Sequence, residues 1–521
     1  MKTLLVKPGS EIVEKTLKGP WPPQLSHLEK LYKEPVVLFR GLFALQAAPQ
    51  SAPLAVGSTL ERLGEDVEYL DVPLEFGLPL NEEFNEKRHR RIEDYIAKGG
   101  YDVVGISCAS SSDCVATQQI AEAAKRALDD VIVIAGGYQA ATEAFDLMEK
   151  IPSIDVIALS DFEPIAEQLY SSFNGNFPLE SIPNITYRED GKICVSERKH
   201  PKLDPEDLPI FDYSLLEKYI PLYSLFVIEA SRGCPYACSF CQEKTLRKHY
   251  TKKDVAVTVD ELIDNANYLG QFVDSVFFLF CDPLWGANTR WVKRFCSQLS
   301  ERRDDITPDK FGWMVETRVG QFSGEALSLM KKAGCTSIAY GVESLSPKML
   351  QIMNKTEDPH QYIASVFESV EKALKEDMRV LLLYILGLPG ETPSTIEETF
   401  HLVRNLPLKN RKLHIGFSLA YPLRGTLLDK QIHDPHFVEK YGVRLLGEND
   451  WEKAYFPHST LLFDPSAELS ASELTDFYLQ AYQGRGRISR SMEAIMERDE
   501  IHPGELAEYS QIFSQNIGMS R

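Results

Sequence analysis

Three cysteines, Cys234, Cys238 and Cys241, stand at C-x3-C-x2-C spacing within the short run Ser231-Arg-Gly-Cys-Pro-Tyr-Ala-Cys-Ser-Phe-Cys-Gln242. One loop of this length can bring three thiolates to one face of an inorganic cluster. A tetrahedral zinc site needs a fourth Cys or His; His249 is the only near candidate and does not sit at a zinc-finger spacing. Electron-transfer clusters use four cysteines. Three thiolates on a cubane [4Fe–4S] cluster leave one iron without a protein ligand and open to a small molecule.

The preceding segment, Leu225-Phe-Val-Ile-Glu-Ala-Ser231, is apolar and predicts a buried strand, which Gly233 and Pro235 break into a loop. Cysteines at the carboxyl end of such a strand lie where a (βα) barrel carries its chemistry. With Phe240 as the aromatic of C-x3-C-x-aromatic-C, the segment resembles the signature of the radical S-adenosylmethionine (SAM) enzymes. That resemblance implies that the open iron chelates the amino and carboxylate groups of SAM. One electron then cleaves the sulfonium to methionine and a 5′-deoxyadenosyl radical.

The chain has 521 residues, enough for two to four domains, and an apolar fraction of 44% that supports sizeable cores. A net charge of −20 disfavours a large nucleic-acid footprint, which needs a basic face. Cys108, Cys114, Cys194, Cys281, Cys296 and Cys335 are scattered and mostly lie in apolar runs. They predict buried free thiols in a reducing cytoplasm, not a disulfide framework. The N-terminus is too short in apolar residues for a signal peptide, and no run is long enough to span a bilayer.

Residues 1–200 alternate apolar strands and helices. Strands are expected over Thr3–Val6, Val67–Val72, Asp102–Cys108, Val131–Ala135 and Asp155–Leu159, with a hairpin around Asp190-Gly191. This is the pattern of a Rossmann-like, doubly wound parallel sheet, whose ligands sit beyond the strands' carboxyl ends. Ser107 to Ser112, Gly136 to Ala140 and Ser160 to Glu163 share that rim. A Pro-rich stretch, residues 10–50, carries Trp21, Tyr32, Phe39 and Phe43 and packs either on a second domain or against a cavity.

Placed before a radical SAM core, Gly105-Ile-Ser-Cys108, then Gly136-Gly137, then a strand and an acidic turn resemble the cobalamin-binding domain of B12-dependent radical SAM enzymes. The resemblance implies that Ser107, Ser110, Gly136, Gly137, Tyr138, Gln139, Ser160 and Glu163 face cobalamin. The family often has a Gly-Glu-Gly-Glu turn where this chain has Ser160-Asp-Phe-Glu163, and no D-x-H-x-x-G motif is present. A base-off, His-off cobalt is therefore implied, its lower face holding water, a weak side chain such as Tyr138 or Gln139, or nothing. His27 is the one imidazole that could fold over it.

Residues 201–224 read as a linker. Six βα units follow in residues 225–430, the partial (βα)6 barrel of the radical SAM superfamily. Gly341-Val-Glu-Ser344 and Gly387-Leu-Pro-Gly-Glu-Thr392 match motifs of that family. The resemblance implies SAM contacts from Phe240, Asp282, Glu316, Arg318 and Glu343; Asp282 capping a turn, and Glu316 pairing with Arg318, are the bland alternatives. Residues 431–521 form a mostly helical segment, with Trp451, Tyr455 and Phe456 ahead of helices at 470–482 and 489–498. The expected activity is methylation of an unactivated carbon of a small molecule, with an external donor such as flavodoxin or ferredoxin. Oxidative cyclisation by the same architecture, or a cobalamin or redox sensor without turnover, are the alternatives.

Overall fold

The structure is a computed structural model that describes residues 1–9, 48–77, 82–200, 202–447 and 462–482. The stretch 10–47, with its aromatics and His27, the residues Trp451, Tyr455 and Phe456, and the helix expected at 489–498 lie outside the described residues.

Seven strands form the first sheet: β1 (Lys2–Lys7), β2 (Asp66–Asp71), β3 (Val103–Ser107), β4 (Ile132–Gly136), β5 (Val156–Ala158), β6 (Ile185–Glu189) and β7 (Lys192–Val195). Their order is β2-β1-β3-β4-β5-β6-β7. The first five are mutually parallel, and the β6–β7 hairpin adds antiparallel to β5. Asp190 and Gly191 both take positive φ (49° and 75°), which a tight two-residue hairpin turn requires. The order reverses between β1 and β3, so a crevice opens at their carboxyl ends.

The second sheet joins β8 (Phe226–Ile228), β11 (Ser275–Phe280), β12 (Lys310–Thr317), β13 (Cys335–Glu343), β14 (Arg379–Leu386) and β15 (Leu413–Leu419), all parallel and in sequence order. Between β8 and β11, a small clamp pairs β9 (Ser231–Arg232) antiparallel with β10 (Thr251–Lys252). The expected α/β architecture, a Rossmann-like sheet before a six-stranded open barrel, is present.

Each barrel strand is pleated so that one face meets helices and the other an interior lumen. On β12, Trp313 packs against Trp285, Phe280 and Phe295 on the helix side. Met314, Glu316 and Arg318 alternate with buried neighbours and take the other face.

The segment expected to be a linker is built into the core instead. Phe211, Tyr213, Leu216, Tyr219 and Tyr223 are buried in the same apolar cluster as the barrel strands. The Tyr213 hydroxyl donates to Val227 O at 2.6 Å and accepts from Val227 N at 2.7 Å. Its prolines suggest a spacer, but its aromatic spacing is that of a wedge. That cluster also takes in Leu5, Leu54, Ala55, Tyr69 and Leu74 of the first sheet's layer, so the two sheets share one core.

Under the β9–β10 clamp, Lys253 Nζ meets Glu261 Oε2 at 2.6 Å with both side chains 0% exposed, and Glu261 also accepts from Phe211 N at 2.9 Å. Breaking one side of a buried pair strands the other charge. Lys253→Met should cost about 3–5 kcal/mol in urea unfolding, and Lys253→Met/Glu261→Gln, which keeps the acceptor for Phe211 N, should recover most of it.

Candidate active site: the cysteine loop between two sheet rims

The cysteine loop leaves β9 through Gly233, whose φ is +80° and where a Cβ would lie 1.9 Å from His249 O. Only glycine passes the chain beside the β10 strand here. Gly233 N then donates to Glu243 Oε1 at 2.9 Å, closing the loop across its base. Ser239 N donates to Met353 O at 2.9 Å, Asn354 Nδ2 to Ala237 O at 2.9 Å and Leu428 N to Ser239 O at 2.7 Å. The loop is therefore fixed by two distant segments, at Met353-Asn354 and at Leu428.

Cys234, Cys238 and Cys241 are free and half-buried. Burial raises the Cys234 thiol, and it pushes Cys241 up to about 11, with Cys238, Glu243 and Cys234 adding to the effect on Cys241. The three sulfurs thus share one electrostatic neighbourhood. Among the described residues, no three Cys, His, Asp or Glu side chains converge to hold a single ion. A cubane asks for a different arrangement, one thiolate on each of three irons, and the donor set of this loop fits it.

The five residues that the resemblance gives to SAM are brought to this rim, but not equally freely. Phe240 packs against the barrel core. Asp282 is buried and accepts from Ala230 N at 3.0 Å and from the Ser231 hydroxyl. It is a brace under the start of the cysteine loop, not an open carboxylate. Arg318 is also engaged: its guanidinium lies 3.8 Å from the Tyr236 ring, donates to Cys238 Sγ at 3.6 Å and to Lys355 O. Arg318 does not pair with Glu316.

Glu316 is exposed in the lumen and makes no hydrogen bond or ion pair to a described residue through its carboxylate. Solvent reaches it, yet protein surrounds it; that desolvation, and Glu343 nearby, raise its carboxyl above the ordinary range. Glu343 is buried, holds φ = +66° and pairs with Lys355 Nζ at 2.8 Å. The preceding Gly341 makes the space: a Cβ there would stand 2.6 Å from Glu343 Oε1. Strained backbone of this kind is held only where the surroundings over-determine it. Lys355 is a participant that the sequence analysis misses, because no pattern marks a lysine after a helix. Glu391, in the second family motif, is buried, accepts from Gly387 N and is pushed up to about 8 by burial.

The facing rim belongs to the first sheet. Ser107 Oγ, at the end of β3, is buried with no hydrogen-bond partner among the described residues. Ser110 caps the following turn, its hydroxyl 2.7 Å from Ser112 Oγ and 3.1 Å from Asp113. Gly137 (φ +105°) lets the β4 turn pass Cys108 O, which a Cβ would meet at 2.6 Å; at Gly136 a Cβ would make ordinary contact. Cys108 and Cys114 lie 3.6 Å apart, sulfur to sulfur, buried and unbridged.

Four of the residues assigned to cobalamin by resemblance have partners within the protein. The Tyr138 hydroxyl donates to Glu243 and accepts from Arg247 Nη1 at 2.7 Å. Gln139 Nε2 donates to Glu143 at 2.7 Å. In this arrangement the Tyr138 hydroxyl and the Gln139 amide nitrogen are engaged within the protein. Glu163 pairs with Arg232 at 2.8 Å, and Ser160 bonds weakly within its own turn. These side chains reach across to the barrel: Arg424 Nε meets Glu143 at 3.3 Å, and Tyr421 OH lies 3.4 Å from Ser111 Oγ. Tyr421 and Arg424 follow β15, so the carboxyl ends of both parallel sheets face each other.

The Radical SAM superfamily model matches residues 228–403, and the B12 binding domain model matches residues 49–169. An uncharacterized methyltransferase of Pyrococcus horikoshii is 26% identical over 343 residues, 65% of this chain and 70% of that protein. The anaerobic magnesium-protoporphyrin IX monomethyl ester cyclase of Cereibacter sphaeroides is 25% identical over 60% of this chain, and the match spans 51% of the cyclase. The cobalamin-dependent radical SAM methyltransferase TokK of Streptomyces tokunonensis is 28% identical over 63% of this chain and 47% of its own length. Several curated relatives are thus matched over about half their length. Among solved structures, the radical SAM methyltransferase TsrM of Kitasatospora setae, with cobalamin and a [4Fe–4S] cluster bound, superposes with a TM-score of 0.66 at 14% identity, covering 99% of each chain. The fold and the rim define a radical SAM enzyme. The chain carries a B12-binding domain ahead of the radical SAM domain; the radical SAM domain implies SAM and a [4Fe–4S] cluster, and the B12-binding domain implies cobalamin. No helix among the described residues is long and apolar enough to cross a membrane.

Two measurements follow from this geometry. Gly233→Ala, like Cys234→Ala, Cys238→Ala or Cys241→Ala, should lower iron and sulfide per chain several-fold after reconstitution, with the far-ultraviolet spectrum unchanged. Glu143, buried between the rims, is pushed from 4.5 up to about 7, chiefly by burial and against the pull of Arg424. A raised folded value gives stability that is present below the unfolded value and lost as pH rises to about 7. Glu143→Gln should therefore flatten the stability profile over that window and exceed the parent above it by about 2–3 kcal/mol.

Proposed function

We propose that this chain is a cobalamin-dependent radical SAM methyltransferase acting on an unactivated carbon of a small molecule. The observation that carries the reading is the opposition of the two rims. Ser111, Tyr138 and Glu143 from the first sheet contact Tyr421, Arg247 and Arg424 from the barrel side. Two cofactors seated on these rims would share one enclosed volume.

The bound cofactors supply radical hydrogen abstraction and a methyl group. The protein's own contribution is positional. Cys234, Cys238 and Cys241 hold the cluster from a loop anchored at Gly233, Ser239 and Asn354. Arg318 fixes that loop through Cys238 and Tyr236. Glu316, unpaired among the described residues, would take a donor of SAM or substrate, and Glu343 with Lys355 forms a charged corner beside it. Asp282 acts through Ser231 and Ala230 and holds the loop's entry. On the other rim, Ser107, Ser110 and Gly137 border the corrin. No histidine falls between His89 and His200, which supports the reading that a cobalamin seated here would be base-off and His-off. The substrate enters between the rims, and electrons come from an external donor such as flavodoxin or ferredoxin in the cytoplasm.

The relatedness to the magnesium-protoporphyrin cyclase favours oxidative cyclisation as the second reading. Incubation of the reduced holoenzyme with methyl-deuterated SAM and candidate substrates decides between them. Methylation gives 5′-deoxyadenosine and a product carrying the label; cyclisation gives a product that has lost hydrogens and gained no label. Absence of 5′-deoxyadenosine under reducing conditions would sink both. Electron paramagnetic resonance of the Co(II) form should show cobalt lines without nitrogen superhyperfine splitting, and splitting would refute the His-off assignment.

A further inference from the structure

The acidic turn after β5, Ser160-Asp161-Phe162-Glu163, departs from the family's glycine-rich pattern, and the structure gives it a different task. Arg232 is the last residue of β9, two before the first cysteine. Its Nη1 lies 2.8 Å from Glu163 and 3.1 Å from Asp161, and its Nε lies 2.9 Å from Glu229. Asp161 also takes Arg247 at 2.7 Å. On the far side of the loop, Glu243, two residues after the last cysteine, accepts from the Tyr138 hydroxyl, Gly233 N and Arg247. Arg232, Glu163 and Asp161 are no more than 10% exposed as side chains, and Glu243 is 4% exposed. Burial alone would raise the Asp161 carboxyl, but Arg247 and Arg232 together hold it below the ordinary carboxylate range.

Both ends of the cysteine loop are thus gripped by the other domain: the entry by Asp161 and Glu163, the exit by Tyr138. A packing contact between domains needs neither such charge density nor convergence on the two residues that flank one loop. Desolvating these ions costs energy that only close pairing offsets, so the latch is selective for one relative placement of the two parts. It also sets the field at the loop. Two carboxylates from the first sheet lie against the arginines that flank the cysteine loop in the chain, where low dielectric makes each charge count.

We propose that Asp161, Glu163 and Tyr138 are positioning residues for the iron–sulfur cluster, by which the cobalamin-binding domain fixes both the geometry of the cysteine loop and the reduction potential of the cluster it holds. The proposal rests on the assignment of the cluster to Cys234, Cys238 and Cys241. Glu163 and Tyr138 face the cluster loop in this role, not the corrin.

The test is a redox titration of the full-length, anaerobically reconstituted holoenzyme poised with dithionite and followed by the paramagnetic resonance of the reduced cluster. Glu163→Gln removes one negative charge while Asp161 still bridges both arginines. It should move the midpoint potential to more positive values with corrin content unchanged, and D161N/E163Q should move it further. Tyr138→Phe changes no charge; it should leave the potential in place and speed loss of iron to a chelator by about fivefold, the effect of one net hydrogen bond. A purely structural contact would not shift the potential in the folded E163Q protein. Should E163Q keep its iron, its corrin and the parent potential, while Y138F loses iron at the parent rate, the proposal is overturned. If D161N/E163Q fails to fold, E163Q alone decides. A cluster signal that survives in a Cys234→Ala/Cys238→Ala/Cys241→Ala protein would instead remove the cysteine assignment, which separates the two failures.

Discussion

Arg232 and Arg247 hold this molecule's functional half together. They sit on either side of the cysteine loop and take carboxylates from both sheets: Glu229 and Glu243 from the barrel side, Asp161 and Glu163 from the first sheet. Buried ions of this number tolerate little displacement, because a lost partner leaves a charge in low dielectric. The shared apolar core, running from Leu5 and Leu54 through the Tyr213–Tyr223 wedge to the barrel, supplies the cohesion. The ionic network supplies the register. Chemistry that uses two large cofactors at once depends on that register more than on raw stability.

Within the barrel, positional demands appear as local strain and local space. Glu343 takes a left-handed backbone and meets Lys355, and Gly341 stands where any side chain would strike its carboxylate. The Gly-Val-Glu motif thereby acquires a steric reason. Gly233 and Gly137 are fixed by the same argument, each passing a backbone carbonyl too closely for a Cβ. Glu316 is the exception, a carboxylate ringed by protein and without a hydrogen-bond or ion-pair partner among the described residues.

Several residues were legible as important without their roles being legible. Asp282 stands at the carboxyl end of β11, where the family places a SAM contact, but it is spent on Ala230 and Ser231. Arg318 and Glu316 look like a pair along a strand. They part because Arg318 turns to Tyr236 and Cys238 while Glu316 stays in the lumen. The acidic turn reads as a corrin contact from its position after β5, and the approach of Arg232, some seventy residues on in the chain, gives Glu163 an ion-pair partner that the local sequence does not show. Proline content made 201–224 a linker, whereas its tyrosines made it core.

What the sequence by itself determined is whatever depends on near neighbours. The period of apolar residues set both parallel sheets and the hairpin at Asp190-Gly191. The cysteine spacing set a three-thiolate loop, and the glycines marked the tight passages. The tertiary structure alone decided which charges meet. The partners of Arg232, Glu163, Tyr138, Lys355 and Arg424 carry no local signal, since an ion pair or hydrogen bond depends on distance in space and not on separation along the chain. Their partners were chosen when the two sheets closed on one core with their carboxyl ends opposed.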